Sequence, residues 1–234
     1  MTRERRNLTY GKGWLLKKSY VNETLIDAFY AGIGQLGPRR AIDIDKKYAE
    51  GDGIIGLGNL AIWWSQQVLD WPEFQAIEKI TFDLVCGILL DPKLYAADVV
   101  TIEPGSTVVN PHVDTPHRFS EWNFDRRLLA LQLIISLHDI DSSSGSTGLV
   151  SQSQLEDYPI NDCYQGKYDE FFAELVHQPI MPKGSVLCYN ARLLHSSMPN
   201  LRARPRKALL IHYCESEIVE PLRAIDNIWS SLVP

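Results

Sequence analysis

Two short stretches of the sequence carry side chains that could hold a metal ion. The first contains His112 and Asp114, and the second contains His195, which lies 81 positions after Asp114 (195 minus 114). Side chains two positions apart on an extended strand point the same way, so His112 and Asp114 can bind one ion together. Two imidazoles and one carboxylate leave three positions open, a ligand set typical of non-haem Fe(II). The pattern therefore predicts an iron site, with His195 supplied by another part of the fold.

Each of these residues also has an ordinary explanation. A His-x-Asp pair often occurs by chance, and a single histidine is more often surface-exposed or hydrogen-bonded within a core. Arg206 lies eleven positions after His195 (206 minus 195), a separation suited to a neighbouring strand. The order of His112, Asp114, His195 and Arg206, each on an apolar and strand-like run, favours the metal site.

Composition narrows the class of protein. The chain has 234 residues, of which 45% are hydrophobic and 22% charged, as in ordinary soluble globular domains. Its net charge of −6 disfavours nucleic acid as a partner, although cationic residues cluster between positions 202 and 207. The four cysteines show no C-x-x-C spacing and suit a reducing compartment. No apolar run approaches a signal core or membrane span, so we expect a cytoplasmic protein without a membrane partner.

Helical patterns occupy the first part of the chain. Asn22 is an N-cap before an apolar stripe at helical spacing, and Pro72 begins a second stripe that runs to Ile88. We interpret the residues up to 19 as an arm or edge strand. The apolar element at residues 54–67 is either core or the wall of a pocket.

Short strands dominate the second part. Apolar and β-branched runs are separated by Gly, Pro and Ser turns, which predicts about eight strands. The strand candidates are residues 98–103, 107–109, 128–137, 147–150, 176–181, 185–189, 193–196 and 207–214, with a partly helical polar insert at 158–174. This order predicts a mainly β, α+β fold: a double-stranded β-helix (jelly roll, cupin-like) with N-terminal helices packed on it. We expect one domain over 1–234, with a mostly helical part (1–97), a jelly-roll core (98–216) and a C-terminal tail (217–234).

Three motifs within residues 98–214 together resemble a known family. The first is Pro111-His112-Val113-Asp114, and the third joins a glycine turn at residues 183–187 to His195, Ser197, Asn200 and Arg206. The second, at residues 144–154, departs from the family, because Ser151, Gln152 and Gln154 replace its usual Pro, Gly and His. The chain resembles the phytanoyl-CoA dioxygenase-like (PhyH) branch of the Fe(II)/2-oxoglutarate-dependent oxygenases.

The resemblance implies an enzyme that uses Fe(II), 2-oxoglutarate and O2. It implies His112, Asp114 and His195 as metal ligands, and hydroxylation of an unactivated C–H bond in a small molecule with release of succinate and CO2. Halogenating relatives have Gly or Ala in place of the carboxylate ligand, so Asp114 favours hydroxylation or a related oxidation over halogenation. The departure at Gln154 does not affect a metal ligand.

Cosubstrate residues are also implied by the resemblance. Arg206 would bind the C5 carboxylate of 2-oxoglutarate through its planar guanidinium, with Arg204 as the competing candidate. Ser197 would assist Arg206, unless it is an ordinary turn serine. Gln132 is a lone amide in an apolar run and needs a partner if buried, so it is a candidate for the C1 carboxylate.

A segment rich in aromatic and arginine residues, 115–127, follows the first two metal ligands. We interpret it as a lid over the substrate, in which His117, Arg118 and Trp122 are candidate substrate contacts. A solvated surface explains its arginines equally well.

Two alternative functions stay open. A cupin-like metal-binding jelly roll could act as a hydrolase, an isomerase or a binding module without 2-oxoglutarate, and an oxygenase of this class could hydroxylate a peptide or protein. Arg206 and Ser197 favour the oxygenase, because a hydrolytic zinc site has no use for an arginine at the end of a cosubstrate slot.

We predict that Asp114→Gly abolishes oxidation of the substrate, because the variant lacks the only carboxylate of the ligand set. The measurement is succinate formation with Fe(II) and 2-oxoglutarate, compared with the wild-type protein. Full activity in this variant would contradict the assignment of the triad.

Overall fold

The computed structural model describes most of the chain. The described residues are 1–33, 61–63, 68–106, 111–114, 116–117, 122, 124–157 and 169–222. The helices in these ranges are α1 (Arg3–Tyr10), α2 (Glu23–Ile33), α3 (Pro72–Cys86), α4 (Asp169–Leu175) and α5 (216–222), with a short 3-10 helix at Ser153–Leu155. The strands are β1 (Trp14–Lys17), β2 (Ala61–Trp63), β3 (Pro92–Ile102), β4 (Ala130–Ser136), β5 (Thr147–Val150), β6 (Val176–His177), β7 (Val186–Asn190), β8 (His195–Ser197) and β9 (Arg206–Glu215).

The strands form two antiparallel sheets. The larger sheet has the order β1-β7-β4-β9-β3-β2, and the smaller has the order β6-β5-β8. An isolated bridge between His112 and His195 extends the smaller sheet beside β8. Helices α2 and α3 pack together, and their buried residues join those of the larger sheet in one apolar cluster. This arrangement confirms the predicted α+β fold with a double-stranded β-helix core.

The two faces of the larger sheet have different surroundings. Leu133 of β4 and Ile211 of β9 pack in the cluster that includes the helices, whereas Ile134 packs with Leu149 of the smaller sheet. Because side chains alternate along a strand, the helices cover one face and the smaller sheet covers the other. We call the face toward the smaller sheet the inner face. Gln132 shares it with Ile134, since the two are two positions apart.

The helices follow local sequence signals. In α2, the Asn22 side chain accepts a hydrogen bond from the backbone N–H of Thr24, and Pro72 is the first residue of α3, as predicted. Helix α1 lies where we expected only an arm or edge strand. Its sequence has no apolar stripe, and Leu8 is its one buried residue. The Thr2 side chain caps its first turn by accepting a hydrogen bond from the backbone N–H of Arg5.

Several strand bounds differ from the predicted ones. Strand β3 begins at Pro92 rather than at residue 98, and proline is compatible with the first position of a strand. The pairing of β3 with β9 shifts register between Leu94 and Ala96. Strand β6 has two residues instead of the six expected over 176–181. The expected strand at 107–109 and the expected insert up to residue 168 lie outside the described residues.

The second motif, where the sequence departs from the family, holds the N-terminal arm. The Gln154 side chain donates to the backbone carbonyl of Gly11 at 2.9 Å, and the Trp14 indole N–H donates to the Ser151 hydroxyl at 3.0 Å. Gly13 has a φ of +84°, and a Cβ there would lie 2.4 Å from the Gln154 amide oxygen. Ser151 and Gln154 therefore fasten the arm that leads into β1.

We predict that Gln154→Ala lowers the free energy of unfolding by roughly 1–3 kcal/mol, because the half-buried Gly11 carbonyl loses its donor. Chemical denaturation measures this change. The matched control is Gln75→Ala on the exposed side of α3, expected to stay within about 0.5 kcal/mol of the wild-type protein. Equal effects of the two substitutions would contradict this role.

Candidate metal centre

His112, Asp114 and His195 come together at one point of the fold. The Nε2 atom of His195 lies 3.1 Å from one carboxylate oxygen of Asp114, and the Nε2 atom of His112 lies 3.8 Å from the other. One ligand atom from each residue can be chosen so that all three lie within 4.8 Å of one another. Metal–ligand bonds are about 2 Å long, so the three atoms can share one ion.

Backbone pairing places these side chains. The N–H of His112 donates to the carbonyl of His195 at 2.9 Å, and the reverse bond is 3.0 Å. The N–H of Asp114 donates to the Ala191 carbonyl at 2.7 Å. Val113, between the two ligands, points away into the apolar cluster of the smaller sheet.

The hydrogen bond that His195 makes through Nδ1 leaves its Nε2 atom available to bind a metal ion. Its Nδ1 atom lies 2.9 Å from the Leu193 carbonyl, which can only accept, so Nδ1 carries the proton and Nε2 faces Asp114. Burial alone would raise the pKa of the Asp114 carboxyl, but attraction to His195 and His112 holds that pKa below its usual value. Burial would lower the pKa of His195, but Asp114 raises it on balance. The donor set thus fits a divalent cation, which would replace the protons that the histidines attract.

Arg206 is a buried cation on the inner face, with 2% of its surface exposed. Its guanidinium donates one long hydrogen bond, 3.5 Å to the Thr147 hydroxyl, and its Nε atom has no partner among the described residues. Burial lowers the pKa of Arg206 to about 10, although Tyr189 acts in the opposite direction. A buried guanidinium without a carboxylate is costly, which indicates a site for an anionic ligand.

The competing Arg204 lies in the turn before β9. Its side chain is exposed, and its backbone carbonyl accepts a hydrogen bond from Asn200. Positions 204 and 206 have the same parity, but the strand begins only at Arg206. Of the two arginines, only Arg206 is buried on the inner face.

Other predicted cosubstrate residues lie near this region. Ser197 pairs with Thr147, the residue that contacts Arg206, and is half-buried. Gln132 is buried in β4, in register with Tyr189 on one side and His212 on the other. Its amide oxygen has no partner among the residues that the structure describes. The sequence analysis missed Thr147, because a threonine in a short strand carries no distinctive signal.

The predicted substrate contacts differ in where they lie. His117 is fully buried, its Nδ1 atom lies 3.0 Å from the Trp122 carbonyl, and its Nε2 atom has no partner in the described part of the chain. Burial lowers the pKa of His117 to about 4, although the Trp122 carbonyl opposes this. Trp122 is half-buried against the cluster that includes Leu129 and Ile218. Arg118 lies outside the described residues.

An ion-pair network that the sequence analysis missed borders the site. Arg192, three residues before His195, is buried and donates to the backbone carbonyls of Gln154 and Glu156. It also pairs with Asp157, which in turn pairs with Arg126 at 3.0 Å. The sequence signal that could have identified this network is Arg192 itself, a single cation between two apolar runs.

Comparison with known proteins agrees with this geometry. The family model of phytanoyl-CoA dioxygenase (PhyH) matches residues 76–208, which include the three ligands and Arg206. No curated protein gave a significant match. In the described ranges, no helix is both long enough and apolar enough to cross a membrane.

Several solved structures share this fold, and two of them, SnoN and SnoK, are non-haem α-ketoglutarate-dependent enzymes. The epimerase SnoN from nogalamycin biosynthesis is 17% identical, with a TM-score of 0.69 over 91% of this chain and 80% of its own. HygX from Streptomyces hygroscopicus is 14% identical, with a TM-score of 0.69 over 92% and 88%. The carbocyclase SnoK is 17% identical, with a TM-score of 0.63 over 92% and 85%. The family match covers more than half of the chain, which therefore belongs to the phytanoyl-CoA dioxygenase family of non-haem iron- and 2-oxoglutarate-dependent oxygenases.

Proposed function

We propose that this protein hydroxylates an unactivated C–H bond of a small molecule, with conversion of 2-oxoglutarate to succinate and CO2. The observation that carries the proposal is the pairing of two features. A His-Asp-His triad able to hold a metal lies in the same double-stranded β-helix core as Arg206. Arg206 is a buried cation without a carboxylate partner among the described residues. A hydrolase or a simple metal-binding module has no need of the second feature.

The proposed roles follow from the placement of each side chain. His112, Asp114 and His195 would hold Fe(II), which with O2 and 2-oxoglutarate supplies the oxidising power when bound. Arg206 would bind the distal carboxylate of 2-oxoglutarate, with Ser197 and Thr147 beside it. Gln132 would bind the carboxylate nearest the metal through its amide N–H groups.

A small-molecule substrate is supported by the structural relatives. HygX has been crystallised with 2-oxoglutarate and hygromycin B, and SnoN with α-ketoglutarate and nogalamycin RO. These relatives include an epimerase and a carbocyclase, and the Asp114 carboxylate supports hydroxylation or a related oxidation over halogenation. A peptide substrate is the competing outcome of a substrate screen.

We further propose that His117 contacts the substrate. Its imidazole is buried near Asp114, and the low pKa keeps it neutral at physiological pH. The Nε2 atom is therefore available for an uncharged hydrogen bond. Arg118 and Trp122 would contribute to the same side of the site.

The proposal extends to the organisation of the chain. We propose that residues 1–234 form one domain, because the part before residue 98 supplies both edge strands of the larger sheet, β1 and β2. A cytoplasmic location is supported by Cys86 and Cys188, which form no disulfide among the described residues.

We predict that the purified protein consumes O2 and forms succinate when Fe(II) and 2-oxoglutarate are supplied, at a rate that a cognate substrate increases. An oxygen electrode and succinate quantification provide the measurement. Omission of Fe(II), or Asp114→Gly, serves as the control. A protein that binds metal but leaves 2-oxoglutarate unchanged, with or without candidate substrates, would overturn the oxygenase in favour of a metal-binding jelly roll.

We predict that Arg206→Ala raises the KM for 2-oxoglutarate by about 30-fold or more, since losing one partner of a buried charge pair costs roughly 2–5 kcal/mol. The matched control is Arg204→Ala, which removes an exposed cation two positions away and should change the KM less than about threefold. Arg206→Lys keeps the charge but loses the planar fork, so an intermediate KM is expected. The reverse ranking of the two alanine variants would assign the cosubstrate to Arg204.

A further inference from the structure

The phenol of Tyr189 lies beside the carboxylate of the metal-binding group. Its hydroxyl is 3.3 Å from the Oδ2 atom of Asp114, the oxygen that also lies 3.1 Å from Nε2 of His195. A phenol is protonated at neutral pH, and a carboxylate can only accept, so Tyr189 donates this hydrogen bond. Nothing in the metal-ligand pattern identifies this donor, because it lies on a different strand from His112 and Asp114.

Tyr189 is held rigidly in this position. Its backbone pairs with Trp14 of β1 and Gln132 of β4, and only 2% of its surface is exposed. Its ring centroid lies 4.8 Å from that of His195. A donor fixed by two neighbouring strands can determine the orientation of the Asp114 side chain that it contacts.

We propose that Tyr189 is a positioning residue that holds one oxygen of Asp114, so that this carboxylate offers a single oxygen to the metal. The inference rests on the function proposed above. A six-coordinate ion with two imidazoles and one carboxylate oxygen has three positions left, two for 2-oxoglutarate and one for O2. A carboxylate that binds through both oxygens leaves only two, which is one too few.

The same phenol borders the other half of the site. Tyr189 pairs with Gln132 of β4 and shares with it the inner face, the face that also carries the buried Arg206. The residue therefore lies between the metal ligands and the cation proposed to bind the distal carboxylate. Its loss should affect metal binding first and cosubstrate binding second.

The alternative is that Tyr189 is an ordinary buried tyrosine whose hydroxyl only requires an acceptor. Tyr213 of β9 is such a residue and provides the matched control. It is fully buried among the helices, and its hydroxyl interacts with Glu78 and Thr81 instead of the metal ligands. Tyr189→Phe and Tyr213→Phe each remove one buried hydroxyl and retain the ring.

The experiment compares the two phenylalanine variants with the wild-type full chain after metal removal. Mn²⁺ is titrated into each protein, and the dissociation constant is measured by electron paramagnetic resonance of the free ion. Visible absorption of the Co²⁺-loaded proteins, before and after addition of 2-oxoglutarate, reports the coordination number. Thermal unfolding of the metal-free proteins measures the purely structural effect of each substitution.

We expect Tyr189→Phe to weaken Mn²⁺ binding by about 10-fold or more, as is typical when a hydrogen-bond partner of a metal ligand is removed. The Co²⁺ spectrum of this variant should differ from that of the wild-type protein, whereas Tyr213→Phe should change only thermal stability. Mn²⁺ affinity of Tyr189→Phe within about twofold of wild type, with an unchanged Co²⁺ spectrum, would overturn the inference alone. A wild-type chain that binds no Mn²⁺ would overturn the proposed function together with it.

Discussion

Two backbone hydrogen bonds between His112 and His195 set the geometry on which the site depends. They make the two residues a hydrogen-bonded antiparallel pair, which brings both side chains to the same side of the smaller sheet. Asp114 follows at the next position with the same orientation. A single bridge between segments 83 positions apart (195 minus 112) therefore gathers all three candidate ligands.

The two faces of the larger sheet have different roles: the outer face, toward the helices, contributes stability, and the inner face carries the groups of the site. Its outer face packs with Ile26 and Phe29 of α2, and each such side chain contributes roughly 1.5–3 kcal/mol when buried. Its inner face carries the Gln132 amide oxygen and the Arg206 Nε atom, which lack partners among the described residues and cost free energy in the absence of a ligand. The apolar outer layer compensates for this cost, so the inner face can keep groups that suit a bound anion.

The sequence predicted those features that depend on local periodicity. Helices α2 and α3, strand β5 and the shared orientation of His112 and Asp114 all follow from spacing along the chain. Features that depend on contacts between distant segments could not be predicted. Arg204 and Arg206 are two positions apart and would face the same side of one strand. They differ only because β9 begins at Arg206 and leaves Arg204 in the preceding turn. The hydroxyl of Tyr189 finds its acceptor 75 residues away, a contact that no local pattern encodes.

Strand β1 has a consequence for how the protein behaves among copies of itself. It pairs with four of the five residues of β7, all of which are buried, and so covers that strand at one side of the larger sheet. An uncovered β7 would present unpaired backbone groups beside an apolar surface, which is the template for edge-to-edge aggregation. The arm held by Gln154 and Ser151 thus places a strand of only four residues at this edge, and a short edge strand offers other chains little to pair with.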